Sequence, residues 1–299
     1  MHTGRPEASA TSWHRHRHRS ATYVDGSFDR RECRRAHSRG RGKRRLERAR
    51  WNDGSGCHPV LVPCPDPTQY DSFAAQYEEH AAVAPYNALY DRPATLRLVG
   101  DVEGKCVLDA ACGPGFYIEQ LLARNADVVG CDASPAMIEL ARTRVGDRAG
   151  LRVHSLDDPF SWVESETVDI VLCALAYHYV TNRISFLREI RRLLRPDGAL
   201  VISTHHPTAD WCRLGGSYFE VSAVTEVWSK GWEITAWRMP LSQLTEEFAA
   251  AGFVIERLVE PTPDLAMKSS HPETFERLCR QPGFIAFKLR RVKQDPDAR

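Results

Sequence analysis

A chain of 299 residues with 42% hydrophobic and 26% charged residues has the composition of an ordinary globular protein with one large or two small domains. No apolar run approaches membrane-spanning length, so no membrane association is expected. The net charge of +1 hides an asymmetry, since residues 1 to 60 hold 15 Lys and Arg against 6 Asp and Glu, and the rest holds 25 against 33. This acidic body argues against nucleic acid as a partner.

Residues 1 to 66 are predicted to form a disordered basic tail, followed by one domain over 67 to 299. The tail is rich in arginine and has almost no Leu, Ile or Val, so it cannot offset its ordering entropy by burying apolar surface. A nucleic-acid arm, a transit peptide and a lipid-binding tail are alternatives, but a tail without function is preferred.

The nine cysteines are odd in number and lie at unrelated spacings, which favours free thiols in a reducing cytoplasm. Cys57, His58 and Cys64 lack a fourth ligand at zinc-finger spacing, so no metal site is expected. The globular part begins with Tyr70, Phe73 and Tyr77, which share one face of a helix. Such a stripe ordinarily packs a helix onto a core.

A strand over Lys105 to Ala110 is followed by the turn Gly113 to Gly115 and a helix over Phe116 to Arg124, the opening unit of a doubly wound sheet. Glycines in such a turn let a ligand approach the backbone. Ile118 stands where a dinucleotide fingerprint needs Gly or Ala, and no Gly-Lys-Ser/Thr follows for phosphate. A nucleoside cofactor without a pyrophosphate remains, and Asp109 suits a cationic amine.

The segment Val107 to Gly115, with the sequence VLDAACGPG, resembles motif I of the class I S-adenosylmethionine (SAM)-dependent methyltransferases of the small-molecule type, similar to the ubiquinone and menaquinone group. The resemblance implies an α/β, doubly wound, Rossmann-like fold whose seven-stranded sheet is mostly parallel and has a C-terminal antiparallel strand. It also implies SAM as cofactor and contacts from Asp109, Ala111, Gly113 and Gly115. For Tyr77, a cofactor contact and core packing are equally good interpretations.

The second strand, Ala126 to Asp132, ends in a carboxylate that can accept hydrogen bonds from both ribose hydroxyls of a nucleoside. Ser134 is predicted to cap the next helix, with Pro135 at its first position. The run from Asp132 to Met137 again resembles the family, which implies that Ala133 and Met137 lie beside adenine. Core packing of Met137 is nearly as good an interpretation.

A third strand, Leu151 to His154, leads to Leu156 and Asp157. The resemblance implies that these residues contact adenine and that Asp157 meets its amino group, although Asp158 is an alternative. The apolar run Val168 to Ala174 reads as a central parallel strand, and Cys173 at its end is assigned to the cofactor by resemblance.

Three histidines are candidate general bases, because neutral imidazole accepts a proton near physiological pH. His178 follows the fourth strand, in an aromatic stretch that resembles the family's fourth motif. His205 and His206 follow the fifth strand, at the same edge of the sheet. Structural roles are the alternative, above all for His206, which precedes Pro207.

Residues 207 to 239 are unusually aromatic and are predicted to form an inserted hairpin that closes over the substrate. An antiparallel cap that fills its own small core is the alternative. The resulting prediction is a cytoplasmic methyltransferase with a small-molecule acceptor, whose acceptor atom and oligomeric state the sequence does not indicate. The rival functions are a non-catalytic SAM-binding regulatory module and, less favoured because of Ile118, a Rossmann oxidoreductase.

Overall fold

The structure is a computed structural model that describes residues 64 to 228 and 230 to 292. The predicted basic tail lies outside the described residues, except for residues 64 to 66. Within the described part, Cys64 already contacts the domain, with its Sγ 3.2 Å from Thr181 Oγ1. No helix in this part is both long and apolar enough to cross a membrane.

Seven strands form a single sheet in the order β3-β2-β1-β4-β5-β9-β8, and β9 alone runs antiparallel to its neighbours. The chain order reverses between β1 and β4, and ligands bind at such a switch point in open α/β sheets. The predicted Rossmann-like α/β sheet with an antiparallel C-terminal strand is therefore confirmed. The strands are β1 Cys106–Ala110, β2 Asp127–Asp132, β3 Gly150–Val153, β4 Val168–Ala174, β5 Leu194–His205, β8 Phe253–Val259 and β9 Phe284–Arg291.

Helices cover both faces of this sheet, as the buried and apolar character of the central strands requires. On one face, Phe186, Leu187 and Ile190 are buried against the sheet. On the other, Ile118 and Ile138 are buried. The helices are α1 Ala74–Val83, α2 Arg92–Val99, α3 Phe116–Leu122, α4 Pro135–Val145, α5 Arg183–Leu193, α6 Pro207–Leu214, α7 Leu241–Ala250, α8 Ala266–Ser270 and α9 Pro272–Leu278.

Ile118 in α3 packs tightly against β2. A Cβ atom at Gly130 of β2 would lie only 2.5 Å from Ile118 Cδ1. In a dinucleotide-binding turn, a small residue on the helix permits this close approach of helix and strand. Here the glycine is on the strand and the large residue is on the helix, so the helix packs closely without the dinucleotide fingerprint.

Two further segments lie together at the carboxyl edge of the sheet. One is the N-terminal strap, residues 66 to 83, and the other is the hairpin of β6 Ser222–Val227 and β7 Glu233–Arg238. Phe73 of the strap stacks on Trp232 of the hairpin with ring centroids 4.7 Å apart. The Gln69 side chain accepts a hydrogen bond from Thr235 N at 2.9 Å and donates one to Thr235 O at 3.3 Å. The strap and hairpin therefore form one cover.

Candidate active site

A cavity with about 1030 Å³ of space, which includes its opening to solvent, lies at the carboxyl edge of β1, β2 and β4, beneath the N-terminal strap. The glycine turn, the ends of β2 and β4, and the loop after β3 contribute its walls. The predicted site residues that line it are Tyr77, Ala111, Gly113, Asp132, Ala133, Met137, Leu156 and Asp157.

The residues in and just before the glycine turn have different structural roles. Gly113 has φ +53°, and a Cβ atom there would meet nothing within 4 Å, so its backbone is open to the cavity. Gly115 has φ +85°, and a Cβ atom there would lie 3.2 Å from Ala141 Cα, so this glycine permits α3 to approach α4. Ala111 adopts φ +69° without being glycine, which is a strained conformation of the kind found at functional sites.

Asp132 is held by two backbone amides. Its Oδ2 accepts a hydrogen bond from Gly113 N at 2.8 Å, and its Oδ1 accepts one from Ser134 N at 3.0 Å. Burial raises the pKa of Asp132 to about 6, although the amides oppose the shift. Each oxygen retains a further lone pair, so the carboxylate can accept two hydroxyl groups from a ligand.

The wall after β2 and β3 is mostly apolar. Ser134 caps α4 by accepting a hydrogen bond from Met137 N at 3.1 Å, with Pro135 as the first helical residue. Met137 is buried and also lines the cavity, so both of its predicted roles are compatible with its position. Asp157 lines the cavity, whereas Asp158 is exposed. The Asp157 carboxylate accepts hydrogen bonds from Thr181 N and Asn182 N.

Asp109 and Cys173 do not reach the cavity wall, contrary to expectation. Both side chains are fully buried within the sheet, because their positions on β1 and β4 face the core. Both carboxyl oxygens of Asp109 lack a hydrogen-bond partner, and burial, with a smaller effect of Asp132, raises its pKa to about 8. Cys173 belongs to the hydrophobic core.

A polar cluster that precedes α2 also lines the cavity and was not predicted from the sequence. A π-helical turn, Asn87–Asp91, places Asn87 and Asp91 on the cavity wall, and Arg92 follows them. Arg92 Nη2 donates to Ala81 O at 3.1 Å, its Nε is buried without a partner, and its guanidinium stacks on the Phe116 ring at 4.4 Å. The adjacent opposite charges of Asp91 and Arg92, at the start of an apolar helix, were the available signal.

The three candidate histidines do not line the cavity. His206 accepts a hydrogen bond from Thr208 N on Nδ1 at 3.1 Å, and its Nε2 lies 2.9 Å from Glu260 Oε1, so both ring nitrogens are engaged. His206 caps α6. This is the turn-shaping role considered for it above.

His178 and His205 stack on each other with ring centroids 4.0 Å apart. His178 Nδ1 shares a hydrogen bond with Thr204 Oγ1, and its Nε2 has no partner. Burial lowers the pKa of His178, and the neighbouring His205 lowers it further. His205 Nδ1 lies 3.6 Å from Asp210 Oδ1. The structure therefore places Tyr179, and not these imidazoles, at the cavity wall.

The hairpin after β5 also differs from the predicted substrate lid. Its residues do not line the cavity within the described part of the chain. Trp232 and Ile234 pack instead on Phe73, with Tyr70, Tyr77 and other aromatic rings around them. The hairpin therefore supports the strap, and the strap covers the cavity.

The comparisons with known proteins agree with this geometry. Residues 108–202 match the family described as "Methyltransferase domain". The chain is 24% identical over 247 residues to an uncharacterized Haemophilus influenzae protein, covering 75% of this chain and 96% of that one. It is 28% identical to the ubiquinone biosynthesis O-methyltransferase of Azorhizobium caulinodans (64% and 83% covered) and to the demethylmenaquinone methyltransferase of Lactococcus lactis (46% and 58% covered).

Solved structures show the same fold. A SAM-dependent methyltransferase from Mesorhizobium loti aligns with a TM-score of 0.57 and 21% identity, covering 71% of this chain and all of that one. The DhpI complex with S-adenosylhomocysteine (SAH) aligns with a TM-score of 0.53 and 21% identity, covering 76% and 97%. Residues 108–202 therefore match a methyltransferase domain, and the chain has the fold of SAM-dependent methyltransferases.

The cavity has the chemistry that SAM requires. Gly113 leaves room for a ligand at the backbone, Asp132 has acceptors to spare for two hydroxyls, and Arg92 has an unpartnered buried Nε. These groups match the ribose and the carboxylate of the cofactor.

Proposed function

We propose that this protein transfers the methyl group of SAM to a small-molecule acceptor. The cavity beneath the strap carries the proposal, because Tyr70 and Tyr77 of the strap line it together with Tyr179. A folded protein or a nucleic acid duplex would not fit under this cover, whereas a small molecule would. The acidic body supports the same choice, since a polyanion would be repelled.

The ribose, the methionine chain, the carboxylate and the adenine of the cofactor each have a proposed partner. Asp132 accepts hydrogen bonds from the two ribose hydroxyls, and the turn at Ala111 and Gly113 lies against the methionine chain. Arg92 pairs with the carboxylate, because its free Nε offers a charge-assisted hydrogen bond. The residues proposed to contact adenine are Ala133, Met137, Leu156 and Asp157, with Asp157 at the amino group.

The bound cofactor supplies an electrophilic methyl group on a sulfonium. The chain contributes mainly by position, because an in-line displacement requires the acceptor and the methyl carbon to be close and aligned. Tyr70 of the strap and Tyr179 after β4 share a hydrogen bond of 2.7 Å, which ties the cover to the cavity wall and keeps water from the reacting atoms. The strap must then open for the product to leave.

Transfer of label tests this function. The full chain is incubated with methyl-labelled SAM and, separately, with a low-molecular-weight metabolite extract, a protein extract and total nucleic acid. We expect label only in the small-molecule pool, and none with Asp132→Ala. Label in a macromolecular pool would contradict the proposed acceptor class, and binding of SAM without transfer to any pool would favour a regulatory module.

The proposed location is a reducing compartment such as the cytoplasm. The seven cysteines of the described part are all free thiols, as is usual there.

A further inference from the structure

The strand order divides the cavity into a cofactor side and an acceptor side. Leu156 and Asp157 follow β3, Asp132 follows β2, and Gly113 follows β1. These are the residues proposed to contact the adenosine and the start of the methionine chain. Beyond them the wall continues to Leu175 after β4, next to β5. The space towards β5 is therefore left for the acceptor.

Asp91 lies next to Arg92 on the wall of the cavity and also reaches towards β5. Its side chain is 1% exposed and lines the cavity, and the Ser203 hydroxyl near the end of β5 acts on its carboxyl. Tyr117 donates its hydroxyl to Asp91 Oδ2 at 2.5 Å, and Thr95 donates its hydroxyl to Oδ1 at 3.2 Å. Asp91 is the last residue of a π-helical turn. Such turns are rare in proteins overall, but many of those that occur are at functional sites.

The charge of the cavity indicates what Asp91 would bind. Among the described residues, four carboxyls and one guanidinium line the cavity. Asp66, Asp132 and Asp157 each accept hydrogen bonds from backbone amides. Asp91 is held by neutral hydroxyls.

Aromatic rings also contribute to the wall of the cavity. Tyr77, Tyr117 and Tyr179 line the same cavity as Asp91. A carboxylate among aromatic rings is an environment that favours a cation, through charge and through the ring quadrupoles. An anionic acceptor such as a phenolate would instead be repelled by the carboxylate.

We propose that the acceptor is a small primary or secondary amine, held as its ammonium ion by Asp91, which then removes a proton from the nitrogen. The inference rests on the proposed function and names its substrate class. The ammonium gives one proton to the Asp91 carboxylate and becomes a neutral amine. Its lone pair forms the bond to the methyl carbon while the S–C electron pair returns to sulfur. The products are a methylated ammonium ion and neutral SAH, and Asp91 later releases its proton to water.

The environment of Asp91 suits a proton acceptor. Burial raises the pKa of its carboxyl, although Tyr117, Ser203, Thr95 and Arg92 oppose the shift. A carboxylate with a raised pKa is a stronger base at neutral pH than an exposed one.

The first experiment identifies the acceptor atom. The full chain is incubated with trideuteromethyl SAM and a low-molecular-weight metabolite extract, and product fragmentation in a mass spectrometer locates the label. We expect the label on amine nitrogen. Label on oxygen or carbon would overturn this inference but leave the small-molecule methyltransferase intact, whereas no labelled small molecule would contradict the proposed function itself.

The second experiment assigns the role of Asp91 with the amine found in the first. Asp91→Asn keeps the shape and accepts hydroxyl hydrogen bonds on its oxygen, but loses the charge. We expect kcat/KM for the amine to fall about 100-fold, the usual contribution of a general base. The pH dependence of kcat should also lose its acidic limb, and the Kd of SAM should stay within about threefold because Arg92, and not Asp91, is assigned to the cofactor.

Asp147→Asn is the matched control, because it removes the same charge from an exposed position after α4. It should leave all three measurements unchanged. If Asp91→Asn weakened SAM binding and spared the amine kinetics, Asp91 would bind the ammonium of the cofactor and the inference would be wrong. An unchanged kcat/KM with an unchanged pH profile would likewise overturn it.

Discussion

The contacts that form the cofactor side of the cavity join residues close in sequence, whereas those that form the cover join residues far apart in sequence. On the cofactor side, Asp132 accepts a hydrogen bond from Gly113 N, 19 residues away in sequence, and Ser134 accepts one from Met137 N, three residues away. In the cover, Gln69 pairs with Thr235 over 166 residues, and Tyr70 meets Tyr179 over 109. A contact between residues that are close in sequence leaves a recognisable motif in the chain. A contact between residues that are far apart in sequence forms only when the chain folds.

The two regions also differ in what holds them. Backbone amides and turn geometry fix the cofactor side, so its side chains have few alternative positions. Aromatic stacking and a few hydrogen bonds hold the cover, and a cover of this kind opens at a lower free-energy cost than the core. Binding and release of ligands require this difference.

The largest expected effect is on the cofactor side, from Asp132→Ala. The substitution removes the proposed acceptor for both ribose hydroxyls and leaves Gly113 N and Ser134 N without the Asp132 carboxylate. Each charged hydrogen bond contributes about 1.5 kcal/mol or more, so the Kd of SAM should rise at least about 100-fold in calorimetry. Asp127→Ala, an exposed acid at the start of the same strand, is the control. Equal affinities would show that Asp132 does not bind ribose.

A second prediction concerns pH and the buried carboxyl of Asp109. Its folded pKa of about 8 lies above its ordinary value of 3.8, so between these pH values the folded state binds more protons than the unfolded state. The contribution of Asp109 to stability is therefore fully present below about pH 4 and is lost as pH rises through about 8. Asp109→Asn, which stays neutral, should lose this dependence.

Urea denaturation at pH 5 and pH 8 checks the prediction for Asp109. The free energy of unfolding of the native protein, relative to Asp109→Asn, should be lower at pH 8 than at pH 5. A constant difference between the two proteins would show that the carboxyl is already ionised at pH 5.

In the cover, Trp232→Ala should weaken the binding of both SAM and the acceptor. The ring stacks on Phe73, and Phe73 belongs to the strap that closes the cavity. Loss of a buried aromatic pair costs about 1 kcal/mol beyond its area, so the Kd of SAM and the KM of the acceptor should each rise about fivefold to tenfold. Trp211→Ala, an exposed ring in α6, is the control. A change in the acceptor KM alone would restore the original interpretation of the hairpin as a substrate lid.

Features that depend on residues close in sequence were predictable, whereas features that depend on packing between distant residues were not. The end of β2, the cap at Ser134 and the hairpin after β5 were predictable because local patterns specify them. Asp91 and Arg92 were missed because the π-helical turn that presents them has no simple periodicity. The histidines were misplaced because an edge of the sheet is known from sequence, but the direction of a side chain at that edge depends on packing.

A smaller effect is expected at His206, which was predicted as a general base but caps α6 in the structure. His206→Ala removes the cap of α6 and should lower the free energy of unfolding by about 1 kcal/mol, with kcat unchanged. His206→Asn should recover most of the loss, because asparagine also accepts the hydrogen bond from Thr208 N. A large fall in kcat at unchanged stability would return His206 to the chemistry.

The smallest expected effect separates two neighbouring alanines at the end of β1. Ala111 has φ +69°, which costs an L-residue about 1 kcal/mol or more, so Ala111→Gly should stabilise the protein by about 0.5 kcal/mol after the added entropy of the unfolded chain. Ala110 is fully buried in the strand, so Ala110→Gly should destabilise by about 1 to 2 kcal/mol through a lost methyl and a freer unfolded chain. Denaturant midpoints measure both changes. Opposite signs would show that the turn stores strain at the cofactor side, whereas a loss at both positions would show that the turn relaxes around alanine.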